Sequence, residues 1–330
     1  MKIFSALFFY IFSISQAQSP ILTFGFSHSG ENLFSGHKDG TVALWNLKES
    51  RLDWLKNDQE SPVTSVDVSF EFNDVLVYSN NDGQVVSRNN KGELYFNKQI
   101  IEGSVNSAIL TLDGNDIISS GQDSIVHLLN SKSGEPSGHF YHRGTSSSNI
   151  NKAFVDKKNK YYVTGHSDGI IKVWDLFSRK FIYSKKFSEY GISSISIDKT
   201  SEILAVGDVG KKLFLYSIDY QYVLSQKKVH SLTTSIDFRS NYKNIITSHK
   251  DRFRNWGYSF NNKLRLLDEK KDIHGDFVSK VMYYPDNDLD LIISSGQDGS
   301  IKIFDLNSYA LKAELVCDKD NGWIIIGENG

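Results

Sequence analysis

The sequence is poor in residues that form covalent crosslinks. It has one cysteine, Cys317, among 330 residues. A single cysteine can form neither an intramolecular disulfide nor a thiolate metal site. Cys317 ends an apolar run that begins at Leu311, so we predict a small, buried strand residue rather than a nucleophile.

An excess of charge of either sign is also missing. Lysine and arginine total 37, aspartate and glutamate total 39, and the formal net charge is −2. This balance gives no electrostatic signature of a nucleic-acid partner. The chain lacks a glycine-rich phosphate loop, an HExxH motif, a nucleophile elbow and a Ser-His-Asp cluster. The sequence therefore predicts no enzyme and no cofactor.

Long apolar runs are confined to the first residues. Lys2 precedes an apolar run over 3–14, and Ser15 and Ala17 are small residues at the −3 and −1 positions of a cleavage site. This pattern predicts a signal peptide over 1–17 and a secreted or periplasmic mature chain. The run is too short for a transmembrane helix, so no membrane span is predicted. The alternative is a strand of the fold in a cytoplasmic protein.

What the sequence does contain is an internal repeat. A small-residue pair, a polar turn and an apolar strand recur seven times, most clearly at 35–47, 164–176 and 295–306. The turn positions lie 41 to 47 residues apart; they are Asp39, Asp82, Asp123, Asp168, Gly210, Asp251 and Asp298. A fixed period of this length indicates one supersecondary unit used many times.

Each unit has the pattern of four short strands. Alternating β-branched and aromatic residues predict the strands, and Asp-Gly pairs such as Asp39-Gly40 predict tight hairpins. One four-stranded sheet cannot bury both faces, whereas seven sheets around an axis can. We therefore predict an all-β, seven-bladed β-propeller of four-stranded antiparallel blades over residues 18–317.

The period, the turn aspartate and third strands ending in Trp-Asn-Leu, Trp-Asp-Leu or Phe-Asp-Leu resemble the WD-repeat β-propeller family, in a bacterial-type form with degenerate repeats. The resemblance implies a buried network of a loop histidine, a second-strand Ser or Thr, the turn aspartate and a third-strand tryptophan. It assigns structural strand roles to Trp45, Trp174, Trp256 and His274. It assigns structural turn roles to Asp39, Asp82, Asp123, Asp168 and Asp298.

No unit carries the whole pattern. Phe304 replaces the tryptophan in unit seven, and units one and four lack the loop histidine, so we expect blades held mainly by apolar packing. His37, His166 and His249 follow the second strand of three different units. Units on separate blades are too far apart to share one metal ion, so we interpret these histidines as repeated turn residues.

The segment 318–330 lies beyond the seven units. It is a C-terminal tail or an extra strand, and it resembles a segment that follows the propeller in some bacterial WD-repeat proteins. The ring must also close. Either unit seven supplies all four of its strands, or the N-terminal apolar run provides the closing strand.

The function predicted from these features is a non-catalytic scaffold that binds a protein or peptide on the propeller rim. Aromatic and arginine side chains are the usual energetic anchors of such surfaces, so the candidates are Arg143, Tyr190 and Phe277. The alternatives are a cytoplasmic adaptor and a propeller enzyme or carbohydrate-binding module. A central cavity with carboxylates from three or more blades would favour the last.

Overall fold

The computed structural model describes residues 19–57, 60–140, 148–156, 158, 160–239, 242–258, 263–275, 277–285, 289–317 and 323–327. The predicted signal peptide over 1–17 and the candidate Arg143 lie outside these ranges. Among the described residues the helical structure is a single turn, α1 (Phe70–Asn73), and no helix is long and apolar enough to cross a bilayer.

Seven antiparallel sheets follow one another along the chain, and within each sheet the strands pair in sequence order. Blade one contains β1 (Ile21–Phe26), β2 (Asn32–His37), β3 (Val42–Asn46) and β4 (Arg51–Lys56). Blade two contains β5 (Val63–Ser69), β6 (Val75–Asn80), β7 (Gln84–Arg88) and β8 (Leu94–Gln99). Blade three contains β9 (Val105–Leu110), β10 (Asp116–Gly121), β11 (Val126–Asn130) and β12 (Pro136–His139). The predicted propeller of four-stranded blades is confirmed.

The remaining four blades repeat the same order. Blade four contains β13 (Ile150–Val155), β14 (Tyr161–His166), β15 (Ile170–Asp175) and β16 (Lys180–Lys186). Blade five contains β17 (Ile192–Ile197), β18 (Ile203–Asp208), β19 (Lys212–Ser217) and β20 (Tyr222–Lys228). Blade six contains β21 (Ser235–Phe238), β22 (Asn244–Ser248), β23 (Arg252–Tyr258) and β24 (Leu264–Lys271). Blade seven contains β25 (Val278–Tyr283), β26 (Leu291–Gly296), β27 (Ser300–Asp305), β28 (Leu311–Cys317) and β29 (Trp323–Gly327).

Neighbouring blades share an apolar layer. Between blades one and two, for example, Phe34 and Leu44 pack against Val66, Leu76 and Tyr78, and each of the five is less than a tenth exposed. Both faces of an inner strand must therefore be apolar or satisfied by hydrogen bonds. Because burial of apolar area supplies most of the stabilisation, each blade depends on the next one.

Among the described strands, blades one and seven meet by packing, and no strand is exchanged between them. Phe24 and Leu33 of blade one lie in one core with Ile293 and Ile303 of blade seven. The place beside β27 is taken by β28 of the same unit, and β29 pairs outside β28. Unit seven thus supplies its own four strands and a fifth.

Side-chain hydrogen bonds also link innermost strands of neighbouring blades. In blades two to six, the second residue of the repeat's innermost segment donates to a carbonyl at the start of the following one. These bonds run from Thr64 to Val105, Asn106 to Ile150 (2.7 Å), Asn151 to Ile192 (3.1 Å), Ser193 to Thr233 (2.9 Å) and Thr234 to Val278 (2.9 Å). Leu22 occupies this place in blade one. Lys280 Nζ donates to the Phe24 carbonyl across the closing junction at 2.6 Å.

The small residue near the end of the second strand permits close approach of the next blade. A Cβ on Gly165 would lie 2.5 Å from Ile192 Cγ2 and 2.7 Å from Ile195 Cδ1. We expect Gly165→Ala to lower the free energy of unfolding by about 1–3 kcal/mol, as overpacking does. Urea denaturation followed by circular dichroism measures the change. Gly25→Ala is the control, because its Cβ would meet Val66 no closer than 3.4 Å, and an equal loss in both variants would contradict the explanation.

Candidate functional site

Buried polar clamps hold the second and third strands of blades one and six. In blade one, Trp45 Nε1 donates to Ser35 Oγ at 3.0 Å, and Ser35 Oγ lies 3.1 Å from His37 Nε2. In blade six, Trp256 Nε1 donates to Thr247 Oγ1 at 2.8 Å, and that oxygen lies 2.9 Å from His249 Nε2. The histidine of each clamp comes from the end of the second strand, where the sequence pattern predicted only a turn residue.

Blade four shows the same arrangement in part. Thr164 Oγ1 lies 2.9 Å from His166 Nε2, and His166 Nδ1 lies 3.1 Å from the Ser148 carbonyl. The Trp174 ring is 2% exposed and packs on Tyr162, with ring centroids 5.7 Å apart.

Blade seven fills the same space from another part of the chain. His274 enters from the loop before β25; its Nε2 lies 2.8 Å from Ser294 Oγ and its Nδ1 2.9 Å from Asp298 Oδ1. The strand position that holds His37 in blade one is Gly296 here, since Val278 pairs with Gly296 as Ile21 pairs with His37. A Cβ on Gly296 would lie 2.4 Å from the His274 ring. A histidine two residues after the second-strand Ser or Thr therefore substitutes for the loop histidine, and this spacing was the signal available in the sequence.

Burial fixes the charge state of the strand histidines. Desolvation lowers the pKa of His37 and of His249 to about 4, and the nearby Arg254 charge acts in the same direction on His249. Both rings are therefore neutral at pH 7. Within the described part of the chain no group of three or more His, Cys, Asp or Glu side chains could hold a metal ion.

The turn aspartates organise the hairpins between the second and third strands. Asp39, Asp123, Asp168 and Asp298 each accept a backbone N–H two residues later, at 3.0–3.1 Å. Burial alone would raise the pKa of Asp298, but the bonds and charges of His274, Ser300 and Lys302 lower it to about 2. In blade two the side chain of Asn80 takes the acceptor role, receiving the N–H groups of Asp82 and Gln84 at 3.1 and 3.0 Å.

Charged side chains also project from the innermost strands near the axis. The carboxylates on these seven strands are Asp67 of blade two and Asp237 of blade six. Asp67 accepts the Leu110 N–H at 2.8 Å, and Asp237 accepts the Tyr283 N–H at 2.9 Å. Each carboxylate thus serves to join neighbouring blades.

Two of the three rim candidates lie among the described residues, at the end of the ring that carries the second-to-third-strand turns. We call this the turn end. Tyr190 is 56% exposed, and its ring covers Gly210 in the turn of blade five, where a Cβ would lie 2.4 Å from the ring. Phe277 is half-buried, and its carbonyl accepts the Gln297 N–H at 2.9 Å. The structure therefore places Tyr190 as an exposed aromatic ring beside the turn of blade five.

A groove at the opposite end of the ring was not predicted. It has a volume of about 550 Å³ and lies between blades five and six. Tyr220, Tyr222 and Tyr242 line it with exposures of 79%, 53% and 55%. The Arg239 guanidinium stacks 3.7 Å from the Tyr242 ring centroid and pairs with Asp290. We call it the tyrosine groove, and its residues come from loops whose sequences carry no repeat signal.

Comparison with known proteins agrees with this architecture. The model of the family described as "WD domain, G-beta repeat" matches residues 10–46, 134–175 and 270–305. These segments contain the second-to-third-strand turns and the third strands of units one, four and seven, which resemble the family best. The recognised resemblance is confirmed.

Curated relatives are distant and longer than the matched region. The chain is 26% identical over 155 residues to the periodic tryptophan protein 2 homolog of Dictyostelium discoideum, covering 46% of this chain and 16% of that protein. It is 28% identical over 101 residues to the guanine nucleotide-binding protein subunit beta-like protein 1 of Mus musculus, covering 28% and 31%. The chain therefore spans less than a third of the length of each of these relatives.

A solved structure shares the fold. The β-propeller domain of Myceliophteria thermophila Cps50 (Swd1) superposes with a TM-score of 0.73 at 15% identity, covering 86% of this chain and 96% of that one. At this identity the likeness supports the fold alone.

Proposed function

Because this chain is a WD-repeat β-propeller, we propose that it is a non-catalytic scaffold that binds a protein or peptide partner on the rim of its turn end. The observation that carries the proposal is the placement of Tyr190. Its ring is mostly exposed and lies against Gly210. Rigid aromatic side chains bind with little loss of conformational entropy, and they dominate the energetics of interfaces.

We also propose that the scaffold is exported. The support is the sequence pattern over 1–17, in which a basic residue, a short apolar run and small residues precede Gln18. N-terminal sequencing of the protein from its native host tests this part. A mature chain that starts at Gln18 agrees with export, and an intact Met1 would contradict it and favour the cytoplasmic adaptor.

Affinity capture tests the rim. The mature chain and a triple variant, Arg143→Ala, Tyr190→Ala and Phe277→Ala, are used as baits in the same extract. We expect the triple variant to recover at least ten-fold less of the specific partner, because loss of anchor side chains costs more than about 1 kcal/mol each.

The matched control is Tyr220→Ala with Tyr222→Ala, which removes exposed aromatic rings from the tyrosine groove at the other end. Its recovery should equal that of the parent chain. Recovery that is unchanged in the triple variant and lost in the control would move the docking site to the tyrosine groove and contradict the proposal. Circular dichroism of each bait confirms that it is folded.

A further inference from the structure

Blade six departs from the repeat in its turn between the second and third strands. Asp251 precedes Trp256 by five positions, whereas Asp39 precedes Trp45 and Asp168 precedes Trp174 by six. In this shorter turn the Asp251 carboxylate pairs with the neighbouring Arg252, with Oδ1 2.8 Å from Nε and Oδ2 2.9 Å from Nη2. The Asp251 carboxylate of this turn is thus engaged in an ion pair with Arg252.

A cavity of about 550 Å³ lies over this turn, between the inter-blade loops on either side. We call it the blade-six pocket. It belongs to the turn end of the ring, the same end as Tyr190. Its lining residues are His230, Ser231, Lys250, Asp251, Arg252, Arg254 and Gly275.

Among the described residues, cations exceed anions around the blade-six pocket. Lys250, Arg252 and Arg254 line it, against the carboxylates of Asp251 and, behind the arginines, Glu269. Glu269 is shared, since its Oε1 lies 3.1 Å from Arg252 Nη1 and its Oε2 lies 2.9 Å from Arg254 Nε. Burial alone would raise the pKa of Glu269, but the bonds from Arg254, Lys271 and Arg252 lower it to about 2. One carboxylate therefore serves two guanidinium groups.

The Arg254 guanidinium has N–H donors that make no hydrogen bond within the described residues. Its side chain is 7% exposed, and its Nε is used by Glu269. For the Nη atoms, the described residues supply no hydrogen-bond partner. A buried guanidinium with unused N–H groups facing a cavity is suited to a bidentate oxyanion, either a carboxylate or a phosphate.

Blade seven lacks this arrangement. Lys302 stands where blade six has Arg254, and its Nζ donates to the Ile273 carbonyl at 2.9 Å and lies 3.3 Å from Asp298 and 3.5 Å from Glu314. Ser300 stands where blade six has Arg252. The Lys302 ammonium of blade seven is thus paired with groups of its own blade. Blade six has two guanidinium groups at the corresponding positions and an open pocket beside them.

We propose that the blade-six pocket binds an oxyanion, a carboxylate or phosphate monoester, carried by a side chain of the partner peptide. This inference rests on the proposed function, because it assigns partner chemistry to the same rim. Arg254 supplies paired N–H donors, Arg252 and Lys250 add positive charge to the lining, and His230 and Ser231 line the pocket from the loop between β20 and β21.

Binding of defined probes to the purified mature chain tests the site without a natural partner. The probes are inorganic phosphate and three short peptides that carry phosphoserine, glutamate or serine at one position, titrated at constant ionic strength. Amide signals of Ser231, Lys250 and Arg252 are followed by nuclear magnetic resonance. We expect saturable shifts at these amides with the phosphoserine or glutamate peptide, with a Kd on the order of 1 mM for one anion, and none with the serine peptide.

Three variants separate a built site from general charge attraction. Lys250→Gln with Arg252→Gln should weaken binding at least five-fold. Arg254→Lys keeps the charge and the Glu269 contact but loses the forked donors, so it should also weaken binding of the phosphoserine peptide. Lys185→Gln with Lys186→Gln removes two exposed charges from β16 of blade four and should leave binding unchanged.

The outcomes decide the matter. Equal binding in the pocket and blade-four variants, or no saturable binding of any probe, overturns the site. Binding of inorganic phosphate without binding of either acidic peptide overturns the assignment to a partner side chain. The titration uses purified chain and defined probes, so its result does not depend on the affinity capture with the Tyr190 and Phe277 variants. Failure of the capture would contradict the proposed rim site, and failure of the titration would contradict the blade-six pocket.

Discussion

Acidification from pH 7 to pH 4 is expected to lower the free energy of unfolding by about 3 kcal/mol for each of His37 and His249. Both have a pKa of about 4 in the folded chain, against an ordinary value of 6.5 for an exposed histidine. Between these values the unfolded chain binds more protons than the folded chain, so stability falls as pH falls. Each pKa unit corresponds to about 1.4 kcal/mol.

A half-buried carboxyl group acts in the opposite direction over the same range. Burial raises the pKa of Asp67 to about 6. The folded chain therefore gains a proton at Asp67 before the unfolded chain does, which offsets about 2 kcal/mol of the histidine effect by pH 4. The stability that Asp298 and Glu269 contribute through lowered pKa values is lost mainly below pH 4.

The double variant His37→Gln, His249→Gln isolates the histidine contribution. Glutamine keeps a polar group near Ser35 Oγ and Thr247 Oγ1 but does not titrate. Urea denaturation at half-unit steps from pH 7 to pH 4 should show the acid-induced loss in the parent chain, whereas the double variant should become no less stable. His28→Gln, at an exposed histidine, is the control. A double variant that loses stability as steeply as the parent would contradict the assignment.

Trp45→Ala is expected to lower the free energy of unfolding by about 3–5 kcal/mol, the range for removal of a large buried aromatic side chain. Trp45 is 1% exposed and packs in the core shared by blades one and seven. The substitution leaves a cavity and removes the indole donor from Ser35. Because the core spans the closing junction, the loss should affect the whole ring in one cooperative transition, measured by urea denaturation and circular dichroism.

Two further variants separate packing from hydrogen bonding at this position. Trp45→Phe keeps most of the ring volume and should cost about 1–2 kcal/mol, near the value of one buried hydrogen bond. Phe304 already occupies the equivalent place in blade seven. Trp54→Ala, on the outer strand and partly exposed, should cost less than Trp45→Ala. An equal decrease in the free energy of unfolding for Trp45→Ala and Trp54→Ala would contradict a particular contribution of the Trp45 hydrogen bond and of the core shared by blades one and seven.

The fold could be predicted because the strands and the turns of each unit both leave a signal in the sequence. Alternation of apolar residues marks β5, β9 and β17, and Asp-Gly pairs such as Asp168-Gly169 mark the turns. These signals are local and recur at one period, so weak copies such as unit five are identified by their neighbours. Gly210 looked like a lost turn aspartate, and the structure gives the reason, because the Tyr190 ring lies against it.

The polar interior was harder to predict because its partners are distant in sequence. The family pattern assigns the clamp histidine to a loop, so His37 and His249 were interpreted as turn residues, although they fill the space that His274 fills in blade seven. The bonds from Asn106 to Ile150 and from Thr234 to Val278 join residues 44 positions apart. The tyrosine groove and the blade-six pocket arise from irregular loops, where periodicity gives no information.

The closing junction between blades one and seven has a consequence for how such a ring changes over evolutionary time. Since none of the described strands is exchanged across it, each unit is a complete module of sequence and of structure. Duplication or loss of one unit would add or remove a whole sheet without breaking another sheet's backbone pairing. The ring would then have to adjust only its diameter and the side chains packed between two neighbouring blades. Single substitutions can change those side chains one at a time.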